Sequence, residues 1–426
     1  MSDVRVSRLG NGARIITAPM PHVESVTFGI WIASGGRHES RALSGVSHFI
    51  EHLLFKGTRK RSAAEISRAI EGRGGYLNAF TQEESTCYYA QVAHERLPAA
   101  MDVLCDMYAN PRLAPADIVK ERGVIVEEIM MYRDQPHHRV QEMLTAALWK
   151  NHPLGRPITG ESETLRAMGR RVIAEYKERR YVAGNTVFAL AGKVDHDACR
   201  AMVERHVGKM APRGGGGWQR VDERVAQDRW SAEARDIEQT HLAIGFRLFG
   251  RHDPRRYALR LLNAVLGENM SSRLFQVVRE RHGLAYSIQS SCQLFEDSGA
   301  LVVGAGLDRE RTVRAVELIA GEMSRLRENP IGPRELRRAK DYVIGQLKLG
   351  LESSSHQMTW AGDNLLSYGE FLPPEDIIAA ISAVTAQEVL DLARTAMRPS
   401  AVSVAIVAPA DVIRSDKQIV RLLTRT

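Results

Sequence analysis

Four consecutive glycines, Gly214 to Gly217, follow Ala211-Pro212-Arg213 at the midpoint of a 426-residue chain. Glycine loses more backbone entropy on ordering than any other residue, so this run holds neither helix nor strand well and reads as a linker. A phosphate cradle is the other use of such a run, but the GxxxxGK[ST] spacing is missing and no good helix start follows. A linker at the midpoint makes the two halves worth comparing. They match at a near-constant offset of 214–218 residues. VTFGIWIASGGRHES (26–40) parallels LAIGFRLFGRHDPRR (242–256), each an alternating apolar strand running into a Gly/Arg-His turn. VAHERLPAAMDVL (92–104) parallels LDRERTVRAVELI (307–319), a strand end entering an amphipathic helix. LAPADIVKERGVIVEEI (113–129) parallels IGPRELRRAKDYVIGQL (331–347). Both put proline in a first helical turn, where its missing N–H has no partner to lose. The chain therefore reads as two similar domains, 1–210 and 228–426, joined by a linker over 211–227.

Local signals give the class of each domain. Asn11-Gly12 between VSRL and ARIITA marks a tight hairpin. Residues 63–72 and 97–109 have helical periodicity, and ESTCYYAQVA (84–93) reads as a strand. Runs of strands with helices collected between them predict an α+β fold rather than a regular βαβ alternation.

Composition removes several function classes. With 44% hydrophobic and 26% charged residues the chain is globular, not fibrous or disordered. No apolar run approaches the roughly 18 residues of a membrane span. The N-terminal stretch has no apolar core of signal-peptide type. Four widely spaced cysteines (Cys87, Cys105, Cys199, Cys292) form no CxxC, which points to a reducing cytoplasm. The net charge is +7, but the basic residues are mostly arginines scattered among acids. The densest cluster, Arg334 to Lys340, has the spacing of a solvated helix face. Neither nucleic acid nor membrane is expected as a partner.

The sharpest feature is His48-Phe-Ile-Glu51-His52. With LSGVSHFIEHLLFKG as a helix, Ser44 is the expected cap and Gly57 the expected stop. At 100° per residue, Val46, Phe49, Ile50, Leu53 and Leu54 centre on one side. His48 and His52 share the other side, with Glu51 flanking them. Two imidazoles and a carboxylate so arranged suit two zinc ligands and a general base. HxxEH arises by chance in about 3 of 100 chains of this composition, so it is moderately specific alone. It is the inverted form of HExxH. The bland reading is polar helix surface.

A catalytic zinc needs a third protein ligand. A helix over Pro115–Asp134 offers Glu121, Glu127 and Glu128. Glu121 and Glu128, seven apart, share a face with Ile118 and Ile125, whereas Glu127 lies on a polar flank beside Lys120 and Asp134. A carboxylate on a partly apolar stripe needs a counter-charge, and a metal supplies one. Glu128 is therefore the expected ligand, Glu121 the group that orients a histidine, and Glu127 a solvated residue. His137-His138, in a polar loop, read as surface, and Cys87 as a small buried strand residue.

Together, HFIEHLLFKGT, GGYLNAFTQEESTCYY and ERGVIVEEIMMYRDQP resemble the pitrilysin/insulinase family of zinc peptidases. They are most similar to its shorter branch, like the mitochondrial processing peptidase. Seventy-five residues lie between His52 and Glu128, the family's interval to its third ligand. LLNAVLGENMSSRLFQVVRERHGLAYS (261–287) extends the resemblance into the second half. At an offset of 216, His48, Glu51 and His52 meet Ala264, Gly267 and Glu268, so the second half has no metal motif of its own.

The resemblance implies two α/β-roll domains per chain and a zinc metalloendopeptidase with one Zn2+ per chain. Peptides or unfolded polypeptides would be cut inside an enclosed chamber. It implies that Asn78, Ala79 and Phe80 form an edge strand that pairs with an extended peptide, and that Arg279 and Tyr286 reach the substrate from the second half. Family members with two domains per chain would pair, as a homodimer or as a heterodimer with an inactive relative. A non-catalytic or assembly subunit is the alternative, but such members typically lose part of the zinc motif and this chain keeps all of it. S-ribosylhomocysteine lyase also carries HxxEH, but it is far shorter and unduplicated.

Overall fold

The computed structural model describes residues 3–424 except Arg213, Val225 and Ala226. In chain order the first half gives β1 (Arg5–Arg8), β2 (Arg14–Pro19), β3 (Ser25–Ile32), α1 (Val46–Leu54), α2 (Ala63–Ile70), β4 (Tyr76–Thr81), β5 (Thr86–Ala93), α3 (Leu97–Ala109), α4 (Pro115–Asp134), α5 (Pro136–Leu148), α6 (Ser162–Ala167), α7 (Arg170–Arg180), β6 (Thr186–Gly192) and α8 (His196–Val207). The second half gives β7 (Trp230–Ala234), β8 (Gln239–Leu248), α9 (Arg256–Leu266), a π-helix (Phe275–Arg281), β9 (Ala285–Leu294), β10 (Gly299–Asp308), α10 (Thr312–Glu328), α11 (Pro333–Gly350), α12 (Ser354–Tyr368), α13 (Pro374–Ala383), α14 (Ala386–Ala396) and β11 (Val402–Ala408), then two short helices.

Each half builds one sheet, in the order β1-β2-β6-β3-β5-β4 and β7-β11-β8-β10-β9. Apart from β1, the two orders correspond strand for strand. Each has a single parallel pair, β2 with β6 and β7 with β11, in an otherwise antiparallel sheet. The duplication read from weak sequence parallels is thus a duplication of topology. The Asn11-Gly12 hairpin joins β1 to β2, with Gly12 at φ 93°, a left-handed conformation that glycine adopts without strain.

The chain divides into two compact units, one of Met1–Met130, Arg156–Gln219 and Lys348–Leu372, the other of Met131–Gly155, Arg220–Leu347 and Pro373–Thr426. These differ from the contiguous 1–210 and 228–426 expected from sequence. α5, from the first half, packs on β8 and β11 of the second sheet, and α12, from the second half, packs on β2, β3 and β6 of the first. The exchanged helices supply cover that the packing requires. β6 is buried along its whole length, so its sheet needs cover on both faces. Phe28, Ile30, Phe188 and Leu190 face a core with α1 and α3. Trp31, Val187, Ala189 and Ala191 face Met358, Ala361 and Leu365 of α12. The contact is close: a Cβ at Gly362 would run into the Trp31 indole. The described glycines of the linker lie outside helix and strand.

Candidate metal centre

α1 forms where the pattern put it. Val46, Phe49, Ile50, Leu53 and Leu54 are all buried in the first core, and truncating a side chain such as Phe49 to alanine costs about 3–5 kcal/mol. That anchored stripe fixes the rotation of the helix and turns His48 and His52 to the other side. Their rings stand edge to face with centroids 4.7 Å apart. The helix start differs from expectation. The N-cap is Gly45, not Ser44. At the other end, Gly57 does adopt positive φ (122°), two residues past the last turn's cap, Phe55.

α4 supplies the carboxylates. Glu128 Oε2 lies 3.7 Å from His48 Nε2 and 3.7 Å from His52 Nε2. These distances are too long for hydrogen bonds. They are close to the edge of a tetrahedron whose corners sit roughly 2.0–2.1 Å from a central ion. One ligand atom from each of the three residues lies within 4.8 Å of the others, the only such cluster among the described residues. Burial, with His52 nearby, pushes His48 down to about 4. It is therefore neutral at physiological pH, the form in which imidazole binds metal. Two imidazole nitrogens and one carboxylate oxygen at this spacing fit zinc.

Glu121 is buried and receives His52 Nδ1 at 3.3 Å. That contact fixes which His52 nitrogen faces Glu128. Its counter-charge is Lys56, whose Nζ lies 3.0 Å from Oε1. Glu127 is exposed. Glu51 stays outside the ligand cluster and accepts a 2.6 Å hydrogen bond from Thr81 Oγ1 on β4. Burial raises its carboxyl above the usual range, against the opposing pull of Thr81 and His52. A carboxylate shifted toward neutrality is a better proton acceptor at working pH. Sequence reasoning missed Lys56 and Thr81. Lys56 stands i,i+4 from His52, a spacing that could have pointed to it.

Among the described residues β4 is an edge of the first sheet, bonded to β5 alone. The Gln82 N–H to Ser85 O bond closes its hairpin. Antiparallel alternation then turns the main chain of Phe80 and Asn78 toward β5 and that of Ala79 outward. In this structure the Ala79 N–H donates to Asn78 Oδ1 at 2.8 Å, and Asn78 Nδ2 donates to the Tyr76 hydroxyl at 2.6 Å. Arg279 and Tyr286 belong to the second unit. Arg279 is exposed on the π-helix with its guanidinium over the Phe275 ring, and Tyr286, 77% exposed, opens β9. π-helical turns are frequent at functional sites. His137 and His138 are exposed, in the first turn of α5 rather than in a loop, and Cys87 is buried in β5.

The helical positions of the three acids set a test. Glu128→Gln is expected to lower zinc affinity by at least the roughly 10–100-fold that loss of an outer-shell partner costs. Glu127→Gln should leave zinc content and activity within about twofold of wild type, as for other solvated positions. Metal analysis of both purified variants decides it, and reversed phenotypes would reject the assignment.

The model of the insulinase family, peptidase family M16, matches residues 14–162, and that of the peptidase M16 inactive domain matches 168–343. A Mycobacterium bovis protein named an uncharacterized zinc protease is 41% identical over 398 residues, 92% of this chain and 90% of its own. A Bacillus subtilis protein of the same description is 38% identical over 385 residues, 90% and 93% of the two chains. Among solved structures, a protease from Helicobacter pylori superposes with a TM-score of 0.89 at 18% identity, covering 96% of this chain and 100% of that one. A peptidase M16 inactive domain from Pseudomonas fluorescens gives 0.89 at 16% identity, covering 96% and 98%. At such identities the structures speak for the fold alone, whereas the family matches and the close relatives speak for descent: the chain belongs to the insulinase family, peptidase family M16.

Proposed function

We propose that the chain is a zinc metalloendopeptidase that cleaves peptides or unfolded polypeptides. The observation that carries this reading is the convergence of His48, His52 and Glu128 with Glu51 alongside but outside the ligand set. His48, His52 and Glu128 hold one zinc per chain. Bound zinc supplies Lewis acidity, which brings the pKa of a water to about 7 and polarises a carbonyl. Glu51, steadied at Oε2 by Thr81, uses Oε1 to take the proton of the attacking water and then delivers it to the leaving amine. The outward main chain of Ala79 pairs with an extended peptide once Asn78 releases its N–H, and Phe80 continues that strand. Arg279 and Tyr286 bind and orient the peptide and offset charge that develops on it.

On four unpaired cysteines we place the work in a reducing cytoplasm. No helix among the described residues is long and apolar enough to cross a membrane. The enclosing chamber would need two chains, so a homodimer is the proposed assembly.

An unstructured peptide library, with cleavage sites profiled with and without chelator, tests the activity. Cleavage that chelator abolishes and added zinc restores is the expected result. Cleavage indifferent to chelator, or none from a fully zinc-loaded chain, would reject it.

A further inference from the structure

The start of α1 is built in an unusual way. Gly45, its N-cap, has φ 92°, and a Cβ there would stand 2.6 Å from Thr159 O and 2.8 Å from Gly160 Cα. No residue with a side chain fits, so the Ser, Thr, Asp or Asn that usually caps a helix cannot be used. The first-turn N–H groups still need acceptors. Glu39, six residues upstream of Gly45, provides for the cap and for one first-turn group: Oε2 accepts from Gly45 N–H at 2.7 Å and Oε1 from Ser47 N–H at 2.8 Å. Its own main-chain oxygen accepts from Arg156 Nη2 at 2.5 Å. The Tyr176 hydroxyl, 3.2 Å from Ser47 Oγ, holds the same turn from α7.

Glu39 is 4% exposed, and burial raises its carboxyl to about 7 although both N–H bonds and Arg156 pull the other way. A glutamine would fill the same space without a charge to desolvate. It would also turn an NH2 toward one of the two N–H donors, so only a carboxylate satisfies both. The turn it holds contains Ser47 and then His48. A helix N-terminus carries roughly half a positive charge, which opposes a cation held at the third helical residue. A carboxylate on that terminus offsets this charge and fixes the direction of the first turn.

We infer that Glu39 is a positioning residue for the metal centre, gripping Gly45 and Ser47 so that His48 meets His52 and Glu128 in ligand geometry. This rests on the zinc reading above. The test uses Glu39→Gln and Glu39→Asp in the full chain. Zinc affinity is read by chelator competition, ligand geometry by the visible spectrum of the Co2+-loaded protein, fold by thermal melting, and kcat and KM on one unstructured peptide. Glu39→Gln should weaken zinc binding about tenfold, shift the Co2+ bands and lower kcat about tenfold with KM within twofold. Glu39→Asp, which keeps the charge but reaches less far, should fall between. A folded variant that melts lower yet keeps zinc affinity, Co2+ spectrum and kcat within twofold of wild type would reduce Glu39 to a helix cap and overturn the inference. If the glutamine variant does not fold, the aspartate variant is judged by the same criterion. A wild-type chain that binds neither zinc nor Co2+ would overturn the metal reading itself, and this inference with it.

Discussion

Glu51→Gln is expected to lower kcat by about 10²–10⁴-fold, the usual worth of a positioned general base, while zinc content stays at the wild-type level. The two halves of that expectation come from separate observations. Glu51 is not one of the three residues whose ligand atoms converge, so its loss leaves the metal set whole. Its carboxyl is partly buried, raised by that burial, and held at Oε2 by Thr81, which leaves Oε1 to take a proton. Glutamine has nearly the same shape, and Thr81 can bond its carbonyl oxygen, but it takes up no proton at any working pH. Metal analysis and kcat on the same purified sample settle the matter. Loss of zinc together with activity would mean that Glu51 is a ligand or a support for one, and unchanged activity would mean that another group is the base.

What the sequence could reveal follows a physical pattern. The imidazole pair was legible because i,i+4 spacing on a helix is local geometry, and Phe49 and Leu53 showed which side faces the core. The same wheel separated buried Glu121 from exposed Glu127. The grip of Glu39 on the start of α1 was not legible. It depends on the approach of Thr159 and Gly160, more than a hundred residues away in sequence, which forbids a side chain at Gly45. Nor could periodicity assign α5 and α12 to their sheets. It reports that a helix has an apolar face, not which strands that face covers. The exchanged helices correspond in the two halves, so the repeat was visible while the crossing between units was not.

The second large effect concerns how a whole site is assembled. Glu51 lies in the first unit, and Arg279 and Tyr286 in the second. In four-domain relatives, as the family resemblance implies, the zinc motif lies in the first domain and the Arg/Tyr pair in the last. A chain with two such units would reach that count by pairing with a second copy, and the last domain would then belong to the partner. Each subunit would complete the other's site across a two-fold axis. Light scattering should accordingly give about twice the 47.4 kDa of one chain. Glu51→Gln alone should be inactive, and so should a chain carrying Arg279→Ala with Tyr286→Phe. Mixed in equal amounts and allowed to exchange subunits, about half of the dimers contain one of each. In every mixed dimer one site has an intact Glu51 facing an intact Arg279 and Tyr286, while the other has neither. Activity should therefore recover to about a quarter of wild type, since one of two sites works in half of the dimers. If the pair acted within its own chain, no mixed dimer would hold a complete site. Exchange confirmed by native mass, with activity still at background, would end the shared-site reading and leave each chain to build its site alone.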